Sequence, residues 1–240
     1  MKLIRTYIHA IAMSVVLLAG CTAGTQDRDI KEFTIRDAQG NSLEAQAYIP
    51  QGWSNKEGGP AVFVLDNSLF NDGMLWRGID SLYECNALKP IVIARLHDRR
   101  GTCSAETFST SFIPYVQENF NAGVAENIFF GVGNEADTGL AISMSGNARI
   151  GEYWCYSPAN SDLSGYGMLP QETSYRICYG AKEEIGRFEY YPALLNSIRK
   201  RGGHVESWTY DGNADPDWWK AWFLYELEKR FPASQDSSLK

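Results

Sequence analysis

The chain has 240 residues, 44% of them hydrophobic and 13% aromatic, enough to bury one sizeable core but cramped for two domains. Its formal net charge is −7. The acids are spread along the chain and no Lys/Arg block interleaves with aromatics, which argues against nucleic acid as a partner.

From the N-terminus, Lys2 and Arg5 precede an apolar run from Ile8 to Leu18, followed by small residues and a cysteine. The run is short for a membrane span of about 20 residues and has the layout of an export signal. Leu18-Ala19-Gly20-Cys21 resembles a bacterial lipobox at all four positions, which implies cleavage before Cys21 and lipidation of that cysteine. An ordinary secretory signal or an anchor helix is the alternative. Removing residues 1–20 takes away two cations, Lys2 and Arg5, and no acid, so a net charge of −7 becomes −9. Several acyl chains on Cys21, each buried CH₂ contributing about 0.8 kcal/mol, hold such a domain on a membrane. Thr22 resembles the second residue of lipoproteins sorted to the outer membrane, so the expected place is the cell envelope, lipid-anchored, facing the periplasm or the surface. The plan is a signal peptide over 1–20, a polar tether over 21–31, one folded domain over 32–233 and a disordered tail over 234–240.

Within the domain, Glu32 to Ile35 and Glu44 to Ile49 alternate apolar and polar residues about the turn Asp37 to Asn41, predicting an antiparallel hairpin. Ala61 to Asp66 and Pro90 to Arg95 are unbroken apolar runs of the kind that suit parallel strands covered on both faces. Helical spacing is predicted over Asp72 to Glu84 and over Glu106 to Phe120, with a polar loop containing His97, Arg99, Arg100 and Cys103 between strand and helix. Glu152 to Ser157 and Tyr175 to Gly180 are two further strands, Phe188 to Arg201 a helix closed by Gly202-Gly203, His204 to Tyr210 a last strand and Pro216 to Phe231 a last helix. A hairpin followed by alternating strands and helices implies an α/β fold with a mostly parallel central sheet, an N-terminal antiparallel hairpin and helices on both faces. Ligands of such folds sit at the carboxyl ends of the strands, which makes Asn67 a candidate contact.

Export makes disulfides available, and the four cysteines beyond Cys21 allow three pairings. Cys155 and Cys178 hold similar positions at the ends of two strands and are the candidate bridge; the alternative is that each is a small buried hydrophobe.

Between the helix ending at Phe120 and the next strand lies Ile128 to Leu140: a buried strand, a tight glycine turn and the first turn of a helix. That is where an α/β-hydrolase carries its G-x-S-x-G nucleophile elbow. With Tyr48-Ile49-Pro50, Val62 to Asp66, Ile91 to Ala94 and the arginine-bearing loop after it, and Phe112-Ile113-Pro114, this stretch resembles the α/β-hydrolase family that includes esterase D and enterochelin-esterase-like proteins. The likeness runs from about Phe33 to Phe231. The family's G-F-S-N-G-A-D is written here as Gly131-Val132-Gly133-Asn134-Glu135-Ala136-Asp137.

The resemblance implies a Ser, acid, His triad in that chain order. Gly133 then stands at the serine position, Glu183 keeps the acid position in Gly180-Ala181-Lys182-Glu183, and Ala214 stands at the histidine position in Gly212-Asn213-Ala214-Asp215. Neither glycine nor alanine is a nucleophile or a base, and Glu135, where the family has glycine, crowds the approach. The expectation is an inactive esterase-like lipoprotein that binds a small ligand or an envelope protein, with no cofactor and no metal. The other reading is a carboxylic ester hydrolase, for small acyl, phenolic or siderophore esters, using non-standard residues.

Three alternatives belong with these: a base at His97, a carboxylate nucleophile at Glu135, and a cation site from Glu135, Asp137, Glu183 and Asp215, against which stands the simpler role of acids at helix starts. Candidate ligand contacts are Asn67, Asn134, Glu135, Asp215, Trp218 and Trp219, with Trp222, Tyr225 and Glu226 on a core-facing edge of the last helix.

Overall fold

The computed structural model describes residues 29–37, 39–66, 68–97, 103–145, 150–159, 168–169, 173–183 and 187–233. The signal peptide, Cys21, Asn67, the arginines of the 98–102 loop and the tail lie outside them.

Strands β1 (Asp29–Arg36) and β2 (Ser42–Ile49) form the antiparallel hairpin. The Asp37 carboxylate closes the turn by accepting from the N–H groups of Gln39 at 3.0 Å and Asn41 at 2.7 Å. Asp29, Ile30 and Lys31 pair with Ile49, Tyr48 and Ala47, so the strand takes up the last part of the stretch that polarity assigned to the tether.

Strands β3 (Gly59–Asp66), β4 (Val92–His97), β5 (Ala122–Val132), β6 (Glu152–Tyr156), β7 (Ser174–Gly180) and β8 (His204–Tyr210) complete an eight-stranded sheet in the order β1-β2-β4-β3-β5-β6-β7-β8. The hairpin joins antiparallel to β4, and every pair from β4 to β8 is parallel.

Helices cover both faces because side chains alternate along each strand. Phe63, Ala94, Phe129 and Ile177 face one core with Phe112, Leu140 and Leu195, while Val64, Ile93, Phe130 and Trp154 face the other with Ile79, Phe223 and Leu227. The first core lies under a helical segment after β4, under α4 (Asn134–Ser145) and under α5 (Arg187–Lys200). The second lies under α1 (Met74–Glu84) and α6 (Pro216–Arg230).

Two expectations are corrected. The predicted helix over 106–120 is α2 (Ala105–Thr107) and α3 (Ile113–Phe120) joined by a wider π turn over Phe108–Phe112. Pro114 has no N–H to donate and its ring clashes with the carbonyl four residues back, so the backbone opens just before it.

The Cys155–Cys178 bridge is absent; all four described cysteines are free thiols. Cys155 pairs with Ile177, and Cys178 with Tyr156. That offset of one residue sends the two sulfurs to opposite faces of the sheet.

Candidate functional site

The parallel strands point their carboxyl ends at one rim, and β5 ends there in a sharp reversal. Gly131 approaches the start of α4 so closely that a Cβ on it would lie 2.8 Å from the Glu135 backbone. Gly133 makes the turn with φ +62°, the left-handed region that glycine enters without cost. Its N–H donates to the Tyr156 carbonyl at 2.9 Å, and its own carbonyl accepts from Asp137 N–H at 3.2 Å, which starts the helix. Further along α4, a Cβ on Gly139 would sit 2.1 Å from the Phe129 ring, so helix and strand pack at glycine distance.

This is the strand, turn and helix of a nucleophile elbow. The residue at its apex carries no side chain, and among the described residues nothing lies within 4 Å of where one would begin. Glu135 sits in the first turn of α4 and not at the apex, which removes the reading of it as an elbow nucleophile.

Around the apex lies a pocket of about 420 Å³, walled by Leu69, Phe130, Val132 and Trp219 and edged by Asn134, Glu135, Ser157, Ala214 and Lys220. Of the sequence candidates, Gly133, Asn134, Glu135, Ala214 and Trp219 are thus brought together.

Glu183 lies one layer back. Its buried carboxylate accepts from Ser157 Oγ at 2.6 Å, from Gly180 N–H at 2.8 Å and from the Tyr191 hydroxyl. Donors of this kind are what a buried carboxylate needs, and no described histidine is among them. Asp215 is turned to capping α6, accepting from Asp217 N–H at 3.0 Å, and Asp137 accepts from Ala159 N–H at 3.1 Å. With Glu183, Asp215 and Asp137 each committed to a separate hydrogen-bonding task, the four acids do not make the cation site weighed above. Trp218 is stacked between Tyr210, 3.9 Å away, and Trp222, 5.2 Å away, and does not line the pocket.

No histidine among the described residues lines the pocket. His97, at the end of β4, has Nδ1 2.7 Å from Arg95 Nη2 and faces a separate groove of about 950 Å³ over β1, β2 and β4. His204 is exposed at the opposite end of β8.

The loop after β3, which supplies one oxyanion N–H in working hydrolases of this fold, is folded onto Asp66. Ser68 and Leu69 N–H donate to Asp66 Oδ1 at 3.1 and 2.7 Å, and Arg95 pairs with Oδ2 at 2.7 Å. Asp66, Ser157 and Lys220 are pocket residues that sequence reasoning did not single out. Asp66 and Ser157 were findable from their places at the ends of β3 and β6; Lys220 was not, because only the packing of α6 against α1 brings it to the rim.

Strand order, elbow and loop placement define the α/β-hydrolase fold. No family model matches the chain, and no curated protein matches it by sequence. Solved structures do match, and several of them are esterases. The enterobactin esterase from Shigella flexneri, solved in the presence of enterobactin, superposes with TM-score 0.70 at 14% identity, covering 85% of this chain and 60% of that one. A mutant of the feruloyl esterase module from Clostridium thermocellum, complexed with sinapinate, gives 0.64 at 12% identity, covering 86% and 89%. An IroE-like serine hydrolase from Shewanella oneidensis gives 0.61 at 11%, covering 84% and 79%. Likeness at these identities is likeness of fold.

Proposed function

We propose that this chain is a ligand-binding protein built on the esterase fold, without ester-hydrolysing chemistry of its own. One observation carries the reading: the apex of the elbow is Gly133, with no described residue within 4 Å above it, and the loop after β8 offers Ala214 in place of a base. Removing a triad lowers turnover about 10⁶-fold, leaving about 10³ to 10⁴ over water from binding and oxyanion contacts. The retained Glu183, held by Ser157, Gly180 and Tyr191, then serves the fold.

A second reading is ester hydrolysis of small acyl, phenolic or siderophore esters by other residues. The esterase neighbours favour it, and so does the 2.6 Å contact of Ser157 with Glu183 on the pocket wall, a hydroxyl beside a carboxylate.

The test is turnover of chromogenic esters by the full chain, beside Ser157→Ala and beside Gly133→Ser combined with Glu135→Gly and Ala214→His. The binding reading expects activity only in the triple variant. Turnover by the unmodified chain well above buffer, lost in Ser157→Ala, establishes the second reading instead.

We further propose that the chain is held at the cell envelope, on the outer membrane, through lipidated Cys21; this rests on Leu18-Ala19-Gly20-Cys21. Labelled palmitate should be incorporated by the unmodified chain and not by Cys21→Ser. Equal labelling of both would refute the anchor.

A further inference from the structure

The chain enters the sheet at one end of the strands and the pocket opens at the other. β1 runs antiparallel to β2, and β2 antiparallel to β4, so β1 points the same way as β4, β3 and β5. Register fixes the levels: Ile30 pairs with Tyr48, Tyr48 with Ile93, Ile93 with Val62 and Val62 with Ile128. Asp29, where β1 begins, therefore lies at the amino ends of the parallel strands, one residue below that row. Gly133, at the pocket, lies past their carboxyl ends. At about 3.3 Å per residue the pocket apex stands roughly 20 Å along the strands from Asp29. β1 runs on to Arg36, past the level of Gly133, before it turns.

We infer that the pocket opens away from the membrane that anchors the chain, and so takes a small water-soluble ligand and not a lipid of that membrane. The inference rests on the lipid anchor at Cys21 and on the binding reading, both proposed above. Seven residues, Thr22 to Arg28, separate Cys21 from β1. That length of chain reaches at most about 28 Å when fully extended, and a flexible chain of the same length has a root-mean-square span of about 16 Å. With the anchor below Asp29, the pocket mouth is the far side of the domain. Bringing the mouth onto the bilayer would require the tether to run back along the whole of β1, about 26 Å. That is nearly its full reach, and a chain stretched so far gives up almost all of its conformational freedom.

The test measures height above the bilayer. The full lipidated chain is placed on vesicles of phosphatidylethanolamine and phosphatidylglycerol that carry an energy-transfer acceptor on the headgroup. One donor is attached to Cys85, an exposed thiol at the end of α1 just before β4 begins. The other is attached in Cys85→Ser combined with Asp211→Cys, on the loop after β8, where the Asp211 side chain is 81% exposed. Transfer is expected to be about twofold greater from Cys85, because it falls steeply over a height of this size. About twenty Gly/Ser residues inserted after Thr22 should remove most of that difference. A photoactivatable phospholipid in the same vesicles should leave no adduct on Glu135, Ser157 or Trp219.

Equal transfer from the two positions, or more from Asp211→Cys, overturns the orientation and leaves the anchor standing. A chain that transfers no more than Cys21→Ser does overturns the anchor and the orientation with it. A difference that survives the insertion overturns control by the tether, since a surface of the domain then sets the orientation. Lipid adducts on the pocket residues overturn the exclusion of lipid.

Discussion

Gly133 is the residue on which the functional reading turns, and its environment says what a substitution would do. No described residue lies within 4 Å of the position above it, so Gly133→Ser meets no steric barrier from them and is strained by its φ of +62°. A left-handed non-glycine residue is disfavoured by about 1–2 kcal/mol, so the variant should fold and lose about that much stability, read from urea midpoints. A much larger loss would show that the apex is not open. Gly133 and Ala214 were legible in the sequence because motif frame alone locates them. The capture of Glu183 by Ser157 was not, since the two residues are 26 positions apart and meet only where β6 and β7 lie side by side.

At the level of elements, α4 is held against β5 by glycines. Exposed in a helix, glycine to alanine would stabilise by about 1 kcal/mol. At Gly139 the added carbon would lie 2.1 Å from the Phe129 ring, so packing overrules propensity. Gly139→Ala should lower stability by about 1–3 kcal/mol, measured by chemical denaturation, and a stabilised variant would mean that α4 can withdraw from the sheet. Strand and helix identities were readable from periodicity. What periodicity did not decide was register, and register is what separates Cys155 from Cys178: both end strands, but a step of one residue reverses the face.

Across the whole molecule, an ionic cluster ties β6, β7 and α6 together. Glu152 accepts from Trp154 Nε1 at 2.9 Å and pairs with Arg176 and with Arg230, the latter at 2.9 Å, while Arg176 also pairs with Glu226. Burial alone would raise the Glu152 carboxyl, but the Trp154 hydrogen bond and the two arginines outweigh it and hold the group below its ordinary 4.5. A carboxyl with a depressed folded pKa contributes stability above its unfolded pKa and loses it as pH falls through the folded one. Glu152→Gln should therefore cost about 3 kcal/mol near neutrality, leaving Arg176 and Arg230 short of a partner. Its urea midpoint should approach that of the unmodified chain as pH drops below 4.5, and a difference independent of pH would exclude an ionic role.

The sequence by itself determined most of the elements and the glycine turn at Gly133, and it supplied the frame in which Gly133 and Ala214 are proposed to stand for a serine and a histidine, because these are local: a run of apolar residues, a glycine turn, a residue at a motif position. Only the tertiary structure decided which of those residues share a pocket. It set Trp219 and Lys220 at the rim, turned Trp218 into a stack, gave Asp215 to its helix and Glu183 to Ser157, and divided the cysteines between two faces. Those outcomes depend on strand register and helix rotation, which are fixed by packing between segments far apart in the chain.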